Sequence, residues 1–167
     1  RKPGYLYLAG GIGGFLESGK VRQGLVEFSS RYISRLFTSG NARFRQFINI
    51  DYKTGINRFE KEKLTFEKTN LIRGFESSQV IGQQRLSLNM ETVYFQKRDF
   101  YRFNVAFFTF GDLGIIASAG EPVFRGSYYS GLGVGLRVHN ESLVFKTLQV
   151  RLSIYPNHPG DVGLFGF

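Results

Sequence analysis

The sequence predicts an all-β fold, an antiparallel β-barrel that crosses a membrane, and two observations lead to this prediction. Most segments alternate apolar and polar residues at every second position, which is the period of a strand with one apolar face. Twenty-one glycines and only four prolines are spread over the chain without a three-residue period, which indicates a β-rich construction with many turns. The length of 167 residues suits one domain, so we expect 1–167 to form a single unit.

Eight strands follow from this alternation. The clearest example is 84–95, in which Leu86 and Leu88 take one face while Ser87 and Asn89 take the other. The predicted strands cover residues 5–16, 21–36, 42–53, 84–95, 101–116, 128–139, 143–155 and 161–167.

The predicted connections differ in length at the two ends of the strands. A long polar loop is expected at about 54–83, whereas the turns at 37–41, 96–100 and 139–143 are short and fall, by strand parity, at the opposite end. Membrane barrels have long outer loops and short inner turns, and the predicted connections follow that asymmetry.

The polar faces of the predicted strands are rich in arginine, with glycine, serine and asparagine, whereas most lysines fall in predicted loops. A soluble β-sandwich is the alternative, but its polar face would meet bulk water, where lysine and glutamate are usual. A guanidinium group pairs with carboxylates in a forked geometry and suits an enclosed, hydrated wall, so the membrane barrel is favoured. The arginines assigned to this face are Arg31, Arg35, Arg43, Arg45, Arg85, Arg102, Arg137 and Arg151.

Several function classes are disfavoured. The absence of cysteine excludes disulfides, zinc-thiolate sites and thiol nucleophiles, and no apolar run reaches the roughly 20 residues of a membrane helix. The formal net charge of +9 raises nucleic acid as a partner, but the aromatic residues mostly lie opposite the arginines, which argues against it. His139 and His158 are isolated and no catalytic motif is present. We therefore expect no enzyme, no metal and no cofactor.

Two glycine-rich stretches resemble nucleotide-binding motifs. Residues 14–21, GFLESGKV, have the spacing of a phosphate loop, but Val21 stands where Ser or Thr should hold magnesium, so a glycine-rich turn is favoured. Residues 131–136, GLGVGL, place glycine at every second position on one strand face. That pattern makes room for something lying inside, or allows simple strand curvature.

A set of motifs resembles the bacterial surface-antigen family of BamA- and TamA-type outer-membrane assembly barrels. In that family an [VI]RG[FY] tip belongs to a long extracellular loop that folds into the barrel lumen. Its arginine pairs with acidic residues on the following strands, the second of them within an FxDxG motif. The resemblance implies that Arg73 pairs with Glu91, Asp112 or both. The matching positions are the tip Ile72, Arg73, Gly74 and Phe75, the acids Glu91 and Asp112, and the strand motif residues Phe110 and Gly114.

The resemblance also implies a function and partners. The eight strands would be the C-terminal half of a sixteen-stranded barrel in the outer membrane of a Gram-negative bacterium, assisting the insertion or passage of other proteins. The implied partners are outer-membrane lipids, unfolded outer-membrane proteins or a secreted passenger, the N-terminal half of the barrel, and accessory lipoproteins. The terminal aromatics Phe165 and Phe167 resemble the C-terminal signal of outer-membrane barrels.

Two other functions are left open. One is a translocator or membrane-anchor barrel for a passenger or a fused upstream domain. The other is a self-contained eight-stranded barrel, whose interior would be filled by side chains.

The expected pairing of Arg73 meets a geometric difficulty. With a tight turn near Arg98, Asp112 would pair near Gln84, roughly 20 Å along the strand from Glu91 at about 3.3 Å per residue. Either the turn is longer, or Arg73 reaches only one of the two carboxylates.

Overall fold

The computed structural model is an antiparallel all-β structure. It describes residues 3–57, 64–65, 72–73, 80–96, 104–139 and 147–166. The strands are β1 (Tyr5–Glu17), β2 (Lys20–Ile33), β3 (Phe37–Ser39), β4 (Ala42–Ile56), β5 (Leu64–Thr65), β6 (Ile81–Gly82), β7 (Gln84–Gln96), β8 (Asn104–Ala117), β9 (Ser127–His139), β10 (Thr147–Asn157) and β11 (Phe165–Gly166). A 3₁₀ turn, Val123–Arg125, precedes β9.

Nine of these strands form one sheet. Its order is β1-β2-β4-β7-β8-β9-β10-β11, with β3 also paired to β4, while β5 and β6 form a separate pair within the long loop. Among the described residues no strand joins the two ends of this order, so the sheet is open. In the same part of the chain, no helix has the length and apolar character needed to span a membrane.

The two faces of the sheet differ in chemistry because successive residues of a strand point to opposite sides. One cross-strand row is almost entirely apolar, and we call its side of the sheet the apolar face. It consists of Leu6, Tyr32, Ile48, Met90, Gly111, Leu132, Ile154 and Phe165. The neighbouring row lies on the other side, the polar face, and consists of Tyr7, Arg31, Asn49, Asn89, Asp112 and Gly131.

The apolar face is open to the surroundings instead of covering a core. Ile12 is 87% exposed and Leu152 is 56% exposed. The buried hydrophobic clusters lie elsewhere: one contains Val93, Phe108 and Phe110 on the polar face. The core of this structure is therefore on the side that also carries the charged residues.

The predicted turn at 37–41 is wrong. Ile33 pairs with Phe47 and Phe37 with Phe44, so three residues of one strand oppose two of the other, which is a β-bulge. The bulged Ser34 donates its N–H to the carbonyl oxygen of Gln46 (2.8 Å), and its Oγ accepts the Gln46 N–H (2.9 Å). After the bulge, Phe37 stacks on Phe44 at 5.2 Å between ring centroids, which extends the pairing to Ser39. The turn is left to Gly40, in the left-handed region at φ 57°, and Asn41.

The tight turn near Arg98 is also wrong, as is the short turn at 139–143. Phe95 pairs with Ala106 and His139 with Thr147, so the connections span 97–103 and 140–146, which lie outside the described residues. The physical reason is that the register decides which face of the sheet each residue of β8 shares with β7. The tight turn would have set Asp112 on the same face as Leu86 and Leu88, whereas the observed register sets it opposite Asn89.

The observed bounds of the long loop and of the last strand also differ from the predicted ones. β4 continues to Ile56, so the long loop begins later than residue 54, and residues 81–82 of that loop pair with residues 64–65. The last predicted strand, 161–167, is reduced among the described residues to Phe165–Gly166, which pairs with Ile154 and Ser153 of β10.

Candidate functional site

The loop that precedes β7 is fastened to the polar face at its predicted tip. Ile72 is only 1% exposed and packs in a cluster with Val80, Ile116 and Tyr155. The hydroxyl of Tyr155 donates a hydrogen bond to the carbonyl oxygen of Arg73 at 2.8 Å. These contacts fix the backbone of the tip, so the Arg73 side chain starts from a defined place. Gly74 and Phe75, the other two predicted tip residues, lie outside the described residues.

Arg73 contacts both candidate carboxylates. Its backbone N–H donates to Asp112 Oδ2 at 2.9 Å, and its Nη2 donates to Asp112 Oδ1 at 3.2 Å. Its Nη1 forms an ion pair with Glu91 Oε2, and Nη2 also approaches the carbonyl oxygen of Met90 at 3.3 Å. Both carboxylates are within reach because the register places Asp112 opposite Asn89, two residues from Glu91.

Asp112 is a fully buried carboxylate whose acceptor oxygens are satisfied. Its side chain is 0% exposed. Besides the two bonds from Arg73, Oδ1 accepts a hydrogen bond from Asn89 Nδ2 at 3.0 Å. A buried charge is tolerated when it is both paired and hydrogen-bonded, and Asp112 meets both conditions.

Glu91 is shared between two arginines. Arg137 on β9 donates from Nη1 to Oε1 at 2.6 Å and from Nη2 to Oε2 at 3.0 Å. Its Nε donates to Gln149 Oε1 at 2.8 Å, which orients the guanidinium. The four groups Arg73, Glu91, Asp112 and Arg137, which we call the ionic cluster, contain two positive and two negative formal charges and are neutral in sum.

Aromatic rings form the floor of the ionic cluster. The guanidinium carbon of Arg73 lies 4.5 Å from the ring centroid of Phe110, and that of Arg137 lies 4.2 Å from the centroid of Phe108. The two rings stack at 6.1 Å between centroids. A cation over an aromatic face is electrostatically favourable, more so when water is excluded. Phe110, predicted as a motif residue, thus lies directly beneath Arg73.

The glycines at every second position of β9 make room for these groups. A Cβ atom at Gly133 or Gly135 would collide with the ring of Phe110 or Phe108, respectively. A Cβ at Gly131 would stand 2.8 Å from Ile72 Cγ2 and 3.1 Å from Tyr155 Cδ1. The row of glycines therefore accommodates material packed on the polar face, including the tip of the loop.

The remaining predicted residues lie apart from the ionic cluster. Gly114 is buried and pairs with Ser87 and Tyr129. Phe165 is exposed on the apolar face opposite Ile154, and Phe167 lies outside the described residues.

Sequence reasoning missed three contributors to the site: Asn89, Arg137 and Tyr155. Alternation placed Asn89 and Arg137 on the polar face, but only the register shows which carboxylate each one meets. Tyr155 follows Ile154, whose side chain points to the apolar face. Alternation was therefore the only signal that Tyr155 lies on the polar face.

The ionic cluster joins the loop to the sheet. Its arginine side chains donate hydrogen bonds to carboxylate, amide and backbone oxygen atoms of the strands. Within the described residues, no group of three or more His, Asp or Glu side chains stands close enough to hold a metal ion. No family model, curated protein or solved structure matches this chain.

Proposed function

We propose that this chain is the C-terminal half of a sixteen-stranded outer-membrane β-barrel that assists the insertion or passage of other proteins. The observation that carries the proposal is the placement of Arg73. A loop arginine is held by Glu91 and Asp112 on the polar face of strands whose opposite face is apolar and exposed.

The exposed apolar face supports a membrane location. Large aliphatic side chains such as Leu148, Val150 and Leu152 follow one another on one side of β10 and meet no covering layer in the described structure. Water would penalise such a surface, whereas lipid chains match it. The charged residues, on the other face, would then line a hydrated lumen.

The docked loop supports a barrel larger than eight strands. An eight-stranded barrel has an interior just wide enough for its own side chains. Here Ile72 and Arg73 lie on top of the side chains of the polar face, and a residue of the loop is buried against Gly131. A closed barrel made of these strands alone would leave little space for that layer.

The mechanism that follows is mechanical. The ionic cluster braces the loop against β7, β8 and β9, which keeps this wall of the barrel rigid. The end strands β1 and β11 are paired on one side only within the described residues, so they are the positions at which other strands join. In the proposed function, exchange of strands at such an edge templates an incoming protein.

The proposal is tested by measuring assisted folding. The intact protein is reconstituted into liposomes, a urea-unfolded eight-stranded outer-membrane protein is added, and its folding is followed by the shift in its gel mobility. We expect faster folding than in protein-free liposomes, and Arg73→Ala should return the rate close to that baseline.

The control is Arg125→Ala, which removes an exposed arginine from the 3₁₀ turn and should leave the rate unchanged. A wild-type protein that gives no acceleration would contradict the proposal. If a passenger domain is instead delivered across the same liposomes, the translocator alternative is correct.

A further inference from the structure

The apolar face carries a positive charge next to the β-bulge at Ser34. Alternation assigned Arg35 to the polar face, and that prediction is wrong, because the extra residue of the bulge shifts the alternation by one position. Phe37 pairs with Phe44, and Phe44 with Tyr94, so the ring of Phe37 is on the apolar face. The guanidinium carbon of Arg35 lies 5.2 Å from the centroid of this ring. The bulge therefore brings the charge of Arg35 to the apolar face.

The surroundings of Arg35 on this face are uncharged. Among the described strands, the apolar-face positions of β4, β7, β8, β9 and β10 contain no charged residue. Arg35 is exposed, and none of the ion pairs between described residues includes it. An exposed cation on an apolar surface favours an anionic partner from outside the sheet.

Aromatic residues mark the level of Arg35 along the strands. A cross-strand row of rings lies at the end of the sheet where β7 ends and β8 begins, and two of them, Tyr94 and Phe107, are 6.4 Å apart between centroids. Such rings are enriched at the boundary between lipid chains and headgroups. A long basic side chain at that boundary directs its charge to the headgroups and leaves its stem among apolar groups. The row consists of Phe44, Tyr94 and Phe107, with Phe37 stacked on the first.

A polar row next to these rings adds hydrogen-bonding groups. Gln46, Thr92 and Thr109 follow one another across three strands on the apolar face. The backbone of Gln46 bonds to the bulged Ser34, the residue before Arg35. The hydroxyl of Thr92 donates to Gln46 Oε1 at 2.5 Å, so the same amide offers its Nε2 as a donor on this face. A guanidinium and a neighbouring amide N–H match the oxygen atoms of a phosphate.

We infer that Arg35 and Gln46 bind the phosphate of an anionic phospholipid headgroup from the lipid side of the sheet. The acyl chains of that lipid lie along the apolar residues of β4 and β7, and its phosphate lies beside Phe37. Among the described residues, no acidic side chain shares the apolar-face positions of these strands, so the ammonium group of a zwitterionic headgroup would lack a partner. The inference deepens the proposed function and rests on it, because a membrane location is what brings a headgroup to this face.

The test uses tryptophan fluorescence, since the chain contains no tryptophan of its own. Tyr94→Trp places one reporter in the aromatic row, and Leu148→Trp places another on the same face of β10, three strands away. The intact protein is reconstituted in vesicles of phosphatidylcholine and phosphatidylglycerol. Either lipid in turn carries bromine, which quenches tryptophan, near the headgroup end of its acyl chains. The ratio of the two quenching values measures the preference for anionic lipid at each reporter.

At position 94 we expect phosphatidylglycerol to be preferred about fivefold, the effect of one basic residue at an anionic lipid surface. Arg35→Gln should remove this preference. Arg31→Gln is the matched control, since it removes an exposed arginine from the polar face of the same strand, and it should leave the preference intact. The reporter at position 148 should show little preference between the two lipids.

Equal quenching by the two lipids at position 94 would overturn the inference. An equal loss of preference in Arg31→Gln, or an equal preference at position 148, would overturn it too, because either result would show a diffuse effect of net charge. Quenching by neither lipid at either position would mean that lipid does not reach the apolar face, and the proposed function would then fail together with the inference. Assisted folding in liposomes combined with equal quenching by the two lipids would contradict this inference alone.

Discussion

Arg73 is the residue through which a loop is joined to three strands. Its side chain forms ion pairs with Glu91 on β7 and Asp112 on β8. Glu91 forms a second ion pair with Arg137 on β9. Asp112 depends on Arg73 for its only described counter-charge, whereas Glu91 has two. The two arginines are therefore not equivalent, although they share a carboxylate.

We expect Arg73→Ala to lower the free energy of unfolding by about 3 kcal/mol, since it leaves the buried carboxylate of Asp112 without its described counter-charge. Arg137→Ala should cost only about half as much, because Glu91 keeps its ion pair with Arg73. Urea titration of the intact protein in detergent, read by gel mobility, measures both values. Equal losses in the two variants would contradict the assigned asymmetry.

The residues of the ionic cluster were predictable to different degrees. Arg73, Glu91 and Asp112 carry a motif resemblance, so the sequence could nominate them before any contact was known. Arg137 is one arginine among several on a polar face, and its partner is decided by a register that spans three strands. Long-range pairing of this kind leaves no local mark in the sequence.

At the scale of elements, the glycines of β9 determine how closely the loop approaches the sheet. Gly131 meets Ile72 of the tip, while Gly133 and Gly135 lie under the rings that support the arginines. A side chain at the first position would displace the tip of the loop, and a side chain at either of the other two would displace an aromatic ring beneath the ionic cluster.

We expect Gly131→Ala to cost about 2 kcal/mol of unfolding free energy, because its Cβ would press on Ile72 and Tyr155. If the variant acts by loosening the loop, its cost and that of Arg73→Ala will not add, and the double variant will be more stable than the sum predicts. Gly13→Ala is the control, since a Cβ there meets nothing within 4 Å. Additive losses for Gly131→Ala and Arg73→Ala would show that the glycine acts independently of the loop.

The strands were easier to predict than their ends. Alternation located the long strands of the sheet because an apolar face must repeat every second residue, but it missed β3 and made the last strand longer than the described Phe165–Gly166. The connections were misplaced where composition indicated a turn but side-chain packing continued the strand, as at Phe37 stacked on Phe44. The misplaced turn near Arg98 also violated the parity of the faces, so checking which face Asp112 shared would have rejected it.

At the scale of the whole molecule, the sheet separates two environments. Its polar face carries the loop and the ionic cluster, and its apolar face carries exposed aliphatic and aromatic residues. In a water-soluble protein the arrangement would be reversed, with the apolar face covered by a second layer. In the proposed barrel, lipid would cover the apolar face and water the polar face, and this can be measured one position at a time.

Adjacent residues of β10 provide the sharpest measurement. Leu152 is on the apolar face and Arg151 is on the polar face of the same strand. The chain contains no cysteine, so Leu152→Cys and Arg151→Cys each give one labelling site without background. A polarity-sensitive fluorophore at position 152 of the reconstituted protein should emit at shorter wavelength and be quenched by lipids with a spin label in the acyl chain. The same fluorophore at position 151 should be quenched by iodide in water and little by the lipids. Equal quenching by iodide at both positions would mean that water, not lipid, covers the apolar face, and the membrane barrel would then have to be abandoned.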